Sequence, residues 1–447
     1  MSLSEAAHCL AGRWIGADVK FHGVVNDTRK LPVGALYVAL HGEHFDGHDF
    51  VAAARMAGAA AALVGRVVND PLPQIVVENP RLALGRLAAI WRERFRGPLI
   101  AITGSNGKTT VKEMVRAILA QSGPTLATIG NLNNDIGAPL TLLRLEPAFH
   151  RAVVVEMGAN HPGEIAFLAA LARPTVAVVN NAGPAHLEGF GSVAGVAQAK
   201  GEIYDALSAD GVAIINADDP HASLWRKLTK KRNVLDFGLI QPAAISARIL
   251  EVLGAAGGTR IRLRTPVGET ELTVFLPGQH NVMNTLAAAA AALGAGASLA
   301  AVATGLAAVD GVAGRLRPCP GRNGTQIIDD TYNANPASLR AALEVLATFP
   351  GKRCLVLGDM AELGPGAAAL HAEVGETARK LGIEILLGCG SLSREAVAVF
   401  GAGAKHYLDL ESLVTALEGQ LCPGLTVLVK GSRSAGMERV VRLLATG

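Results

Sequence analysis

The chain has 447 residues, of which 50% are hydrophobic and only 4% aromatic, and its formal net charge is +3. At roughly 100–200 residues per domain, this length predicts two to four domains. The scarcity of aromatic residues predicts cores built from Ala, Val and Leu. The small, evenly spread charge lacks the basic footprint of nucleic-acid-binding proteins, so we expect no nucleic-acid partner.

The cysteines and the apolar segments indicate the compartment. The five cysteines form no CxxC and no Cys/His ligand pattern, which indicates free thiols in a reducing compartment. The N-terminus has no basic start before an apolar core, so no signal peptide is predicted. The most apolar helical segment, 285–309, is Ala-rich and broken by glycines, which is typical of buried helices rather than a membrane span. We expect a cytoplasmic protein with no membrane partner.

The pattern of apolar runs predicts an α/β protein. Short Val/Ile/Leu runs alternate with helix-length amphipathic segments, which favours parallel sheets covered by helices. A Gly-Pro break after residue 96 closes a first α/β domain, 1–97. Residues 98–313 then predict a doubly wound P-loop domain, including a helix over 192–208. Inside it, 244–276 predicts a small antiparallel β insertion with Gly-rich turns.

A segment rich in Gly, Pro and Arg, 310–324, predicts the second domain boundary. Beyond it strands and helices alternate again, so we expect a Rossmann-like domain over 314–447. This domain has no G-x-G-x-x-G fingerprint.

The stretch TGSNGKTT, 103–110, lies between a predicted strand and a predicted helix. Gly104 and Gly107 permit a tight turn that brings backbone N–H groups to phosphate oxygens, and the helix N-terminus faces the anion. In such a loop Lys108 would bind the β- and γ-phosphates, and Thr109 would offer its hydroxyl to Mg²⁺. The order of strand, loop and helix favours nucleotide binding over an ordinary Gly-rich turn.

Three further polar residues of this domain are candidates for chemistry. Glu156 ends a buried strand, where ligands of doubly wound sheets gather; the less favoured alternative is a carboxylate that caps the next helix. His186 follows the next strand, where a lone histidine is more often structural. Lys200 lies in a helix among small apolar residues, and residue types alone favour a surface lysine there.

Two polar groups complete the candidates. Asn281 and Asn284 lie three apart at the head of an Ala-rich helix, where amides could contact adenine or simply cap the helix. A dense polar group after the strand at 326–330 indicates a site more often than a turn; its members are Asp329, Asp330, Tyr332, Asn333 and Asn335.

Together these motifs resemble the Mur ligases and their relative folylpolyglutamate synthase, which activate a carboxylate as an acyl phosphate and couple it to an amine. TGSNGKTT is similar to the family's short loop, in which Ile102 is the last strand residue rather than a lost glycine. The motif order over nearly the whole chain is most similar to the D-alanyl-D-alanine-adding branch, through GNLNNDIGAPLTLLRL, VEMGANHPGEI, AHLEGFGS, PGQHNVMN, DDTYNANP, LGDMAELG and KGSRSAGME.

The resemblance implies an ATP-dependent, ADP-forming ligase of bacterial cell-wall synthesis that joins D-alanyl-D-alanine to UDP-N-acetylmuramoyl-tripeptide. The implied cofactors are ATP and Mg²⁺, with Lys200 matching the family's carbamylated lysine, whose oxygens suit Mg²⁺. The resemblance thereby reverses the expectation of a surface lysine. We expect a monomer whose third domain closes over ATP on a hinge at 310–322.

The resemblance also implies roles for individual residues. The catalytic set is Lys108, Glu156, His186 and Lys200, and the metal set is Thr109, Glu156, His186 and Lys200. The ATP set is Gly104, Ser105, Asn106, Gly107, Lys108, Thr109, Thr110, Asn281, Asn284, Arg315 and Asp330. The implied uridine-diphosphate contacts are Asp27, Thr28, Arg29, Phe45, Asp46 and His48. The muramoyl-peptide set is Asn131, Asn133 and Asn134, and the incoming-dipeptide set is Tyr332, Asn333 and Asn335.

Alternatives remain open at this point. The chain could be another amino-acid-adding Mur ligase or a ligase like folylpolyglutamate synthase. From a different class, it could be a P-loop phosphotransferase or a nucleotide-gated binding module. The implied uridine-diphosphate contacts in the N-terminal domain argue against a nucleotide-gated module, because such a module would have no need of them.

Overall fold

The computed structural model describes residues 1–42, 44–253, 258–309 and 311–446. Its first unit is a five-stranded sheet in the order β1-β5-β4-β3-β2, in which β1 is antiparallel to β5 and the other pairs are parallel. The strands are β1 Arg13–Ile15, β2 Val24–Val25, β3 Leu36–Val38, β4 Ala61–Val64 and β5 Gln74–Val76. The helices are α1 Leu3–Cys9, α2 Val51–Met56 and α3 Pro80–Arg92.

The second unit is a six-stranded parallel sheet in the order β11-β10-β9-β6-β8-β7. Its strands are β6 Leu99–Thr103, β7 Thr125–Ala127, β8 Ala152–Glu156, β9 Val176–Val179, β10 Val212–Asn216 and β11 Asn233–Phe237. Its helices are α4 Lys108–Leu119, α5 Gly137–Leu143, α6 Glu164–Ala172, α7 Leu187–Phe190, α8 Val193–Gly201, α9 Ala222–Leu228, α10 Gln279–Gly294 and α11 Leu299–Ala307.

Helices cover both faces of this second sheet. Alternate residues of β6 point to opposite cores, Ile100 towards α4 and α10, Ala101 towards α6 and α8. Because both faces are buried, the strands are continuous apolar runs rather than alternating ones. The Ala-rich helix α10 is buried as predicted, with residues 287–292 fully inaccessible. No helix in the described ranges combines the length and apolar character needed to cross a bilayer.

The predicted antiparallel insertion is confirmed. It forms a three-stranded meander of β12 Ser246–Val252, β13 Thr259–Thr265 and β14 Gly268–Val274. Residues of β13 alternate between buried and exposed, as expected for a sheet with one face on the core. The predicted Gly-rich turn at 254–257 lies outside the described residues.

The third unit is a six-stranded sheet in the order β15-β16-β20-β17-β18-β19, parallel except for β15. Its strands are β15 Arg317–Pro320, β16 Gln326–Asp330, β17 Lys352–Gly358, β18 Ile385–Cys389, β19 Ala404–Tyr407 and β20 Leu425–Lys430. Its helices are α12 Pro336–Ala347, α13 Ala367–Lys380, α14 Ser393–Phe400, α15 Leu410–Glu418 and α16 Glu438–Leu444. The first three helices lie on one face and the last two on the other.

The fold class is therefore confirmed as three α/β units with a β insertion in the second. The domain limits 1–97, 98–313 and 314–447 stay predictions, and residue 310 of the expected hinge lies outside the described residues. The first unit is tied to the second through α3. The buried Arg92 donates from Nε to the carbonyl oxygen of Ala172 at 2.8 Å and from Nη2 to that of Arg173 at 3.1 Å.

Candidate active site

A cavity of about 1280 Å³ lies at the carboxyl ends of β6, β8 and β9, where ligands of doubly wound sheets bind. All three units contribute to its lining. Among the lining residues are Arg81 from the first unit, Lys108, Glu156, His186 and Lys200 from the second, and Arg315, Asp330 and Tyr332 from the third. The cavity thus brings together the predicted catalytic residues from distant parts of the chain.

The second glycine of the predicted phosphate loop, Gly107, lies where a side chain would not fit. Gly107 has φ +78°, and a Cβ there would lie 2.4 Å from Oδ1 of Asn284 and 2.6 Å from Nδ2 of Asn180. Helix α4 begins at the next residue, Lys108, so its N-terminal amides face the cavity. The Lys108 Nζ donates to the carbonyl oxygen of Gly104 at 2.6 Å, and burial lowers the pKa of this ammonium. The loop therefore presents one cation that is satisfied by its own backbone.

Glu156 ends β8 with a carboxylate that is only half satisfied. Its backbone N–H donates to Oγ1 of Thr128 at 3.0 Å, and its Oε1 accepts from Nδ2 of Asn133 at 2.8 Å. Its Oε2 is buried and has no hydrogen-bond partner. An unpaired buried oxygen costs about 1–3 kcal/mol, so this atom fits a divalent cation.

His186 and Lys200 line the same cavity. His186 has φ +52°, and its Nδ1 lies 2.5 Å from Oε2 of Glu362 in the third unit, although the two groups are not aligned as a hydrogen bond. Burial lowers the pKa of this imidazole. Lys200 is 2% exposed, contrary to the expectation from residue types alone. Burial, and then the charge of Lys108, lower the pKa of its amine well below the ordinary value.

Asn281 and Asn284 are buried inside the first turns of α10 and line the cavity. Asn284 donates to Oδ1 of Asn281 and accepts from Nδ2 of Asn180, both at 3.0 Å. Neither is the helix cap, since that position is Gly278. Their contact with adenine stays a prediction.

The third unit reaches the loop through two predicted residues. The Arg315 guanidinium lies 3.9 Å from the centre of the Tyr332 ring and donates from Nη2 to Oγ1 of Thr109 at 3.2 Å. Asn335 donates to Oδ1 of Asn106 at 2.8 Å.

Asp330 has a partner that sequence reasoning missed. The buried Lys430 donates from Nζ to Oδ2 of Asp330 at 2.5 Å and to the carbonyl oxygen of Asn333 at 2.9 Å. Lys430 is the last residue of β20 and opens the motif KGSRSAGME. That motif supports the family resemblance but predicts no role for its lysine. Glu362 and Asn180 were missed as well, because their partners are distant in sequence.

The predicted uridine-side residues lie apart from this cavity, and none is among its described lining residues. Arg29 is mostly exposed, and its hydrogen bonds lower the pKa of Asp27 to about 2. His48 is buried, with Nδ1 2.5 Å from Asp46 and Nε2 accepting from the Gly65 N–H. Phe45 is exposed. By contrast, the predicted muramoyl-peptide residues Asn131, Asn133 and Asn134 line the cavity.

The donor set of the cavity suits Mg²⁺ only together with a substrate. Within the described ranges, no three His, Cys, Asp or Glu side chains converge as a metal cluster. Mg²⁺ is typically held by one or two carboxylates plus substrate phosphates and waters. The orphan Oε2 of Glu156 fits that requirement, whereas Thr109 is not among the described lining residues and its hydroxyl accepts from Arg315.

Comparisons with known proteins agree across the chain. Three family models match: "Mur ligase family, catalytic domain" over residues 20–92, "Mur ligase middle domain" over 102–292 and "Mur ligase, glutamate ligase domain" over 314–433.

Similar proteins match over their full length. UDP-N-acetylmuramoyl-tripeptide–D-alanyl-D-alanine ligase of Escherichia coli (strain K12) is 47% identical, over 99% of this chain and 98% of the relative. A crystal structure of MurF from Acinetobacter baumannii is 35% identical with TM-score 0.91, over 98% of this chain and 97% of that one. MurF ligase from Thermotoga maritima in complex with ADP is 30% identical with TM-score 0.83, over 94% and 96%. The resemblance seen in the motifs is thus confirmed, and the chain belongs to the Mur ligase family.

Proposed function

We propose that the chain joins D-alanyl-D-alanine to UDP-N-acetylmuramoyl-tripeptide, with conversion of ATP to ADP and phosphate. The names of the full-length relatives support this reaction, because they share up to 47% identity with the chain. The observation that carries the chemistry is the cavity itself. A phosphate-loop lysine, a half-satisfied carboxylate and a buried lysine line one space that all three units enclose.

The reaction has two bond-forming steps. An oxygen of the tripeptide carboxylate attacks the γ-phosphorus, the bond to the β-phosphate oxygen breaks, and ADP leaves. The dipeptide amine then attacks the carbonyl carbon of the acyl phosphate, and inorganic phosphate and one proton are released. Lys108 and Arg315 place positive charge beside the transferring phosphoryl group, where it offsets the repulsion between the two anions.

Two Mg²⁺ ions are expected to share this task. Thr109 and Glu156 would hold one, and His186 and the modified Lys200 the other. Bound Mg²⁺ would neutralise charge that develops on the transferring phosphoryl oxygens.

Lys200 is proposed to react with CO₂. Its buried amine lies where an ammonium is costly, and the lowered pKa favours the neutral, nucleophilic form. The nitrogen adds to the carbon of CO₂ and loses a proton, which leaves a carbamate anion. That anion would place a negative charge within the electrostatic reach of Lys108 and offer two oxygens to Mg²⁺.

The remaining assignments concern the substrates and the assembly. Tyr332, Asn333 and Asn335 line the cavity from the third unit, and Asn131, Asn133 and Asn134 line it from the second. This arrangement supports placing the dipeptide on one side and the muramoyl-peptide on the other. Since the predicted catalytic residues Lys108, Glu156, His186 and Lys200 meet in one cavity within a single chain, the reaction needs no second copy, and we propose a monomer. All five cysteines are free thiols, which supports a cytoplasmic reaction.

A coupled assay tests this function. ATP, UDP-N-acetylmuramoyl-tripeptide and D-alanyl-D-alanine should together give phosphate and an amide product, while omission of any one should stop both. Lys108→Ala should abolish product, and the exposed Lys230→Ala should leave it unchanged. Phosphorylated product without amide would indicate a phosphotransferase. Preference for meso-diaminopimelate, lysine or a folate substrate would indicate another branch of the family.

A further inference from the structure

A carboxylate from the third unit touches the histidine of the candidate metal site. Glu362 lies in the loop between β17 and α13, and its Oε2 is 2.5 Å from Nδ1 of His186. The same loop also meets the following helix, since a Cβ on Gly364 would lie 3.6 Å from Cγ of Glu188. The contact is therefore part of an interface between the two units, not an isolated pair of side chains.

The backbone at both ends of this contact is unusual. His186 has φ +52° and Glu362 has φ +60°, in the left-handed region that residues with a Cβ rarely adopt. Such conformations persist where the surroundings hold them, and they cluster at functional sites. Here each one aims its side chain across the boundary between two units.

The chemistry of the pair is that of a metal-binding histidine. A ligating imidazole typically presents its other ring nitrogen to a carboxylate, which fixes the tautomer and the ring orientation. Glu362 contacts Nδ1, which leaves Nε2 as the ring nitrogen available to a cation. Lys108 is a positive group that acts on His186 through space, and Glu362 brings a negative charge with the opposite effect.

We infer that Glu362 is a positioning residue that orients His186 for a divalent cation, and that the third unit must be seated for this cation site to be complete. The inference rests on the proposed function, in which His186 binds Mg²⁺. Two other contacts of the third unit reach the phosphate loop in the same way, from Arg315 to Thr109 and from Asn335 to Asn106. The third unit in this position therefore contacts both the phosphate loop and His186.

The test measures cation affinity rather than turnover. Mn²⁺ serves as the probe, titrated by electron paramagnetic resonance into the full chain with a non-hydrolysable ATP analogue and bicarbonate. The variants are E362A, the isosteric E362Q and H186A. E373Q is the matched control, because Glu373 pairs with Arg340 inside the third unit. Thermal unfolding confirms that each variant is folded.

We expect the wild type and E373Q to bind two Mn²⁺ ions per chain. E362A should weaken one of them about 10–100-fold, the usual effect of losing a carboxylate behind a metal-bound histidine. E362Q should lose less, because the isosteric side chain keeps its contact with the ring. In H186A, the further change E362A should have no additional effect.

Two results would overturn the inference, and they are distinguishable. If E362A binds both ions as the wild type does while H186A loses one, Glu362 does not position the histidine and the proposed function stands. If H186A also binds both ions normally, the assignment of His186 as a metal ligand is itself wrong.

Discussion

Replacing Gly107 by alanine is a sharp test of the phosphate-loop geometry. Its new Cβ would lie 2.4 Å from Oδ1 of Asn284 and 2.6 Å from Nδ2 of Asn180. Since carbon contacts settle near 3.5 Å, either the loop or the hydrogen-bonded amides of Asn180 and Asn284 must shift by about 1 Å. The left-handed φ of +78° adds a backbone cost of about 1–2 kcal/mol.

A displacement of this size should be visible in the kinetics. Moving a reacting group by about 1 Å costs on the order of 100-fold in rate, or about 2.7 kcal/mol of transition-state stabilisation. We therefore expect kcat of Gly107→Ala to fall about 100-fold in the coupled phosphate-release assay. ATP affinity, measured by calorimetry, should fall as well.

Gly401→Ala is the matched control. Gly401 has φ +80°, nearly the same as Gly107, but a Cβ there would meet nothing within 4 Å. Gly401→Ala should therefore lower the free energy of unfolding by the same backbone term and leave kcat unchanged. If Gly107→Ala turns over like Gly401→Ala, the loop does not need the close approach to Asn180 and Asn284, and the reasoning is refuted.

Three further predictions concern buried polar groups. Lys200→Ala should abolish amide formation, and short-chain carboxylic acids should partly restore it; full activity in the variant would contradict the carbamate. Asn133→Ala leaves Oε1 of Glu156 without its hydrogen-bond donor. We expect kcat to fall about 5- to 150-fold, which corresponds to the cost of about 1–3 kcal/mol for an unsatisfied buried group. An unchanged kcat would show that this hydrogen bond does not contribute to the reaction. Burial raises the pKa of Cys354 to about 12, from an ordinary 9.0. Its protonated thiol therefore adds stability that is complete below pH 9 and is lost as the pH rises towards 12. Unfolding midpoints of Cys354→Ala should fall less over that range than those of the wild type, and equal slopes would contradict this.

Local sequence was sufficient to predict the loop, because strand, Gly-rich turn and helix follow one another without interruption. Glu156 was also predictable, since polar residues at strand ends meet at one edge of a parallel sheet. The three-residue strand β7 was not predicted, because so short a segment carries no periodicity. The helix expected over 192–208 is α8, which ends at Gly201, where a Cβ would lie 2.5 Å from Leu228.

Burial was the property that sequence could not supply. Residue types placed Lys200 on the surface, and only the packing of other elements around α8 makes it inaccessible. The bond between Asn180 and Asn284 joins residues 104 positions apart, and that from Arg315 to Thr109 spans 206. Such pairs depend on how the units meet. Motifs therefore predicted the candidate site residues, whereas their hydrogen-bond partners could be identified only from the structure.

The bond from Lys108 to the carbonyl oxygen of Gly104 has a consequence for ligand selection. A nucleotide that reaches this loop does not meet a hydrated cation; it must exchange places with an oxygen that the ammonium already holds. The exchange is favourable only for a ligand whose charged oxygens accept a stronger hydrogen bond than a neutral carbonyl oxygen does. A nucleoside or monophosphate too short to reach Nζ leaves the internal bond intact and gains nothing from the lysine. We therefore expect the loop to disfavour short nucleotides, because they compete poorly with its own backbone for Lys108.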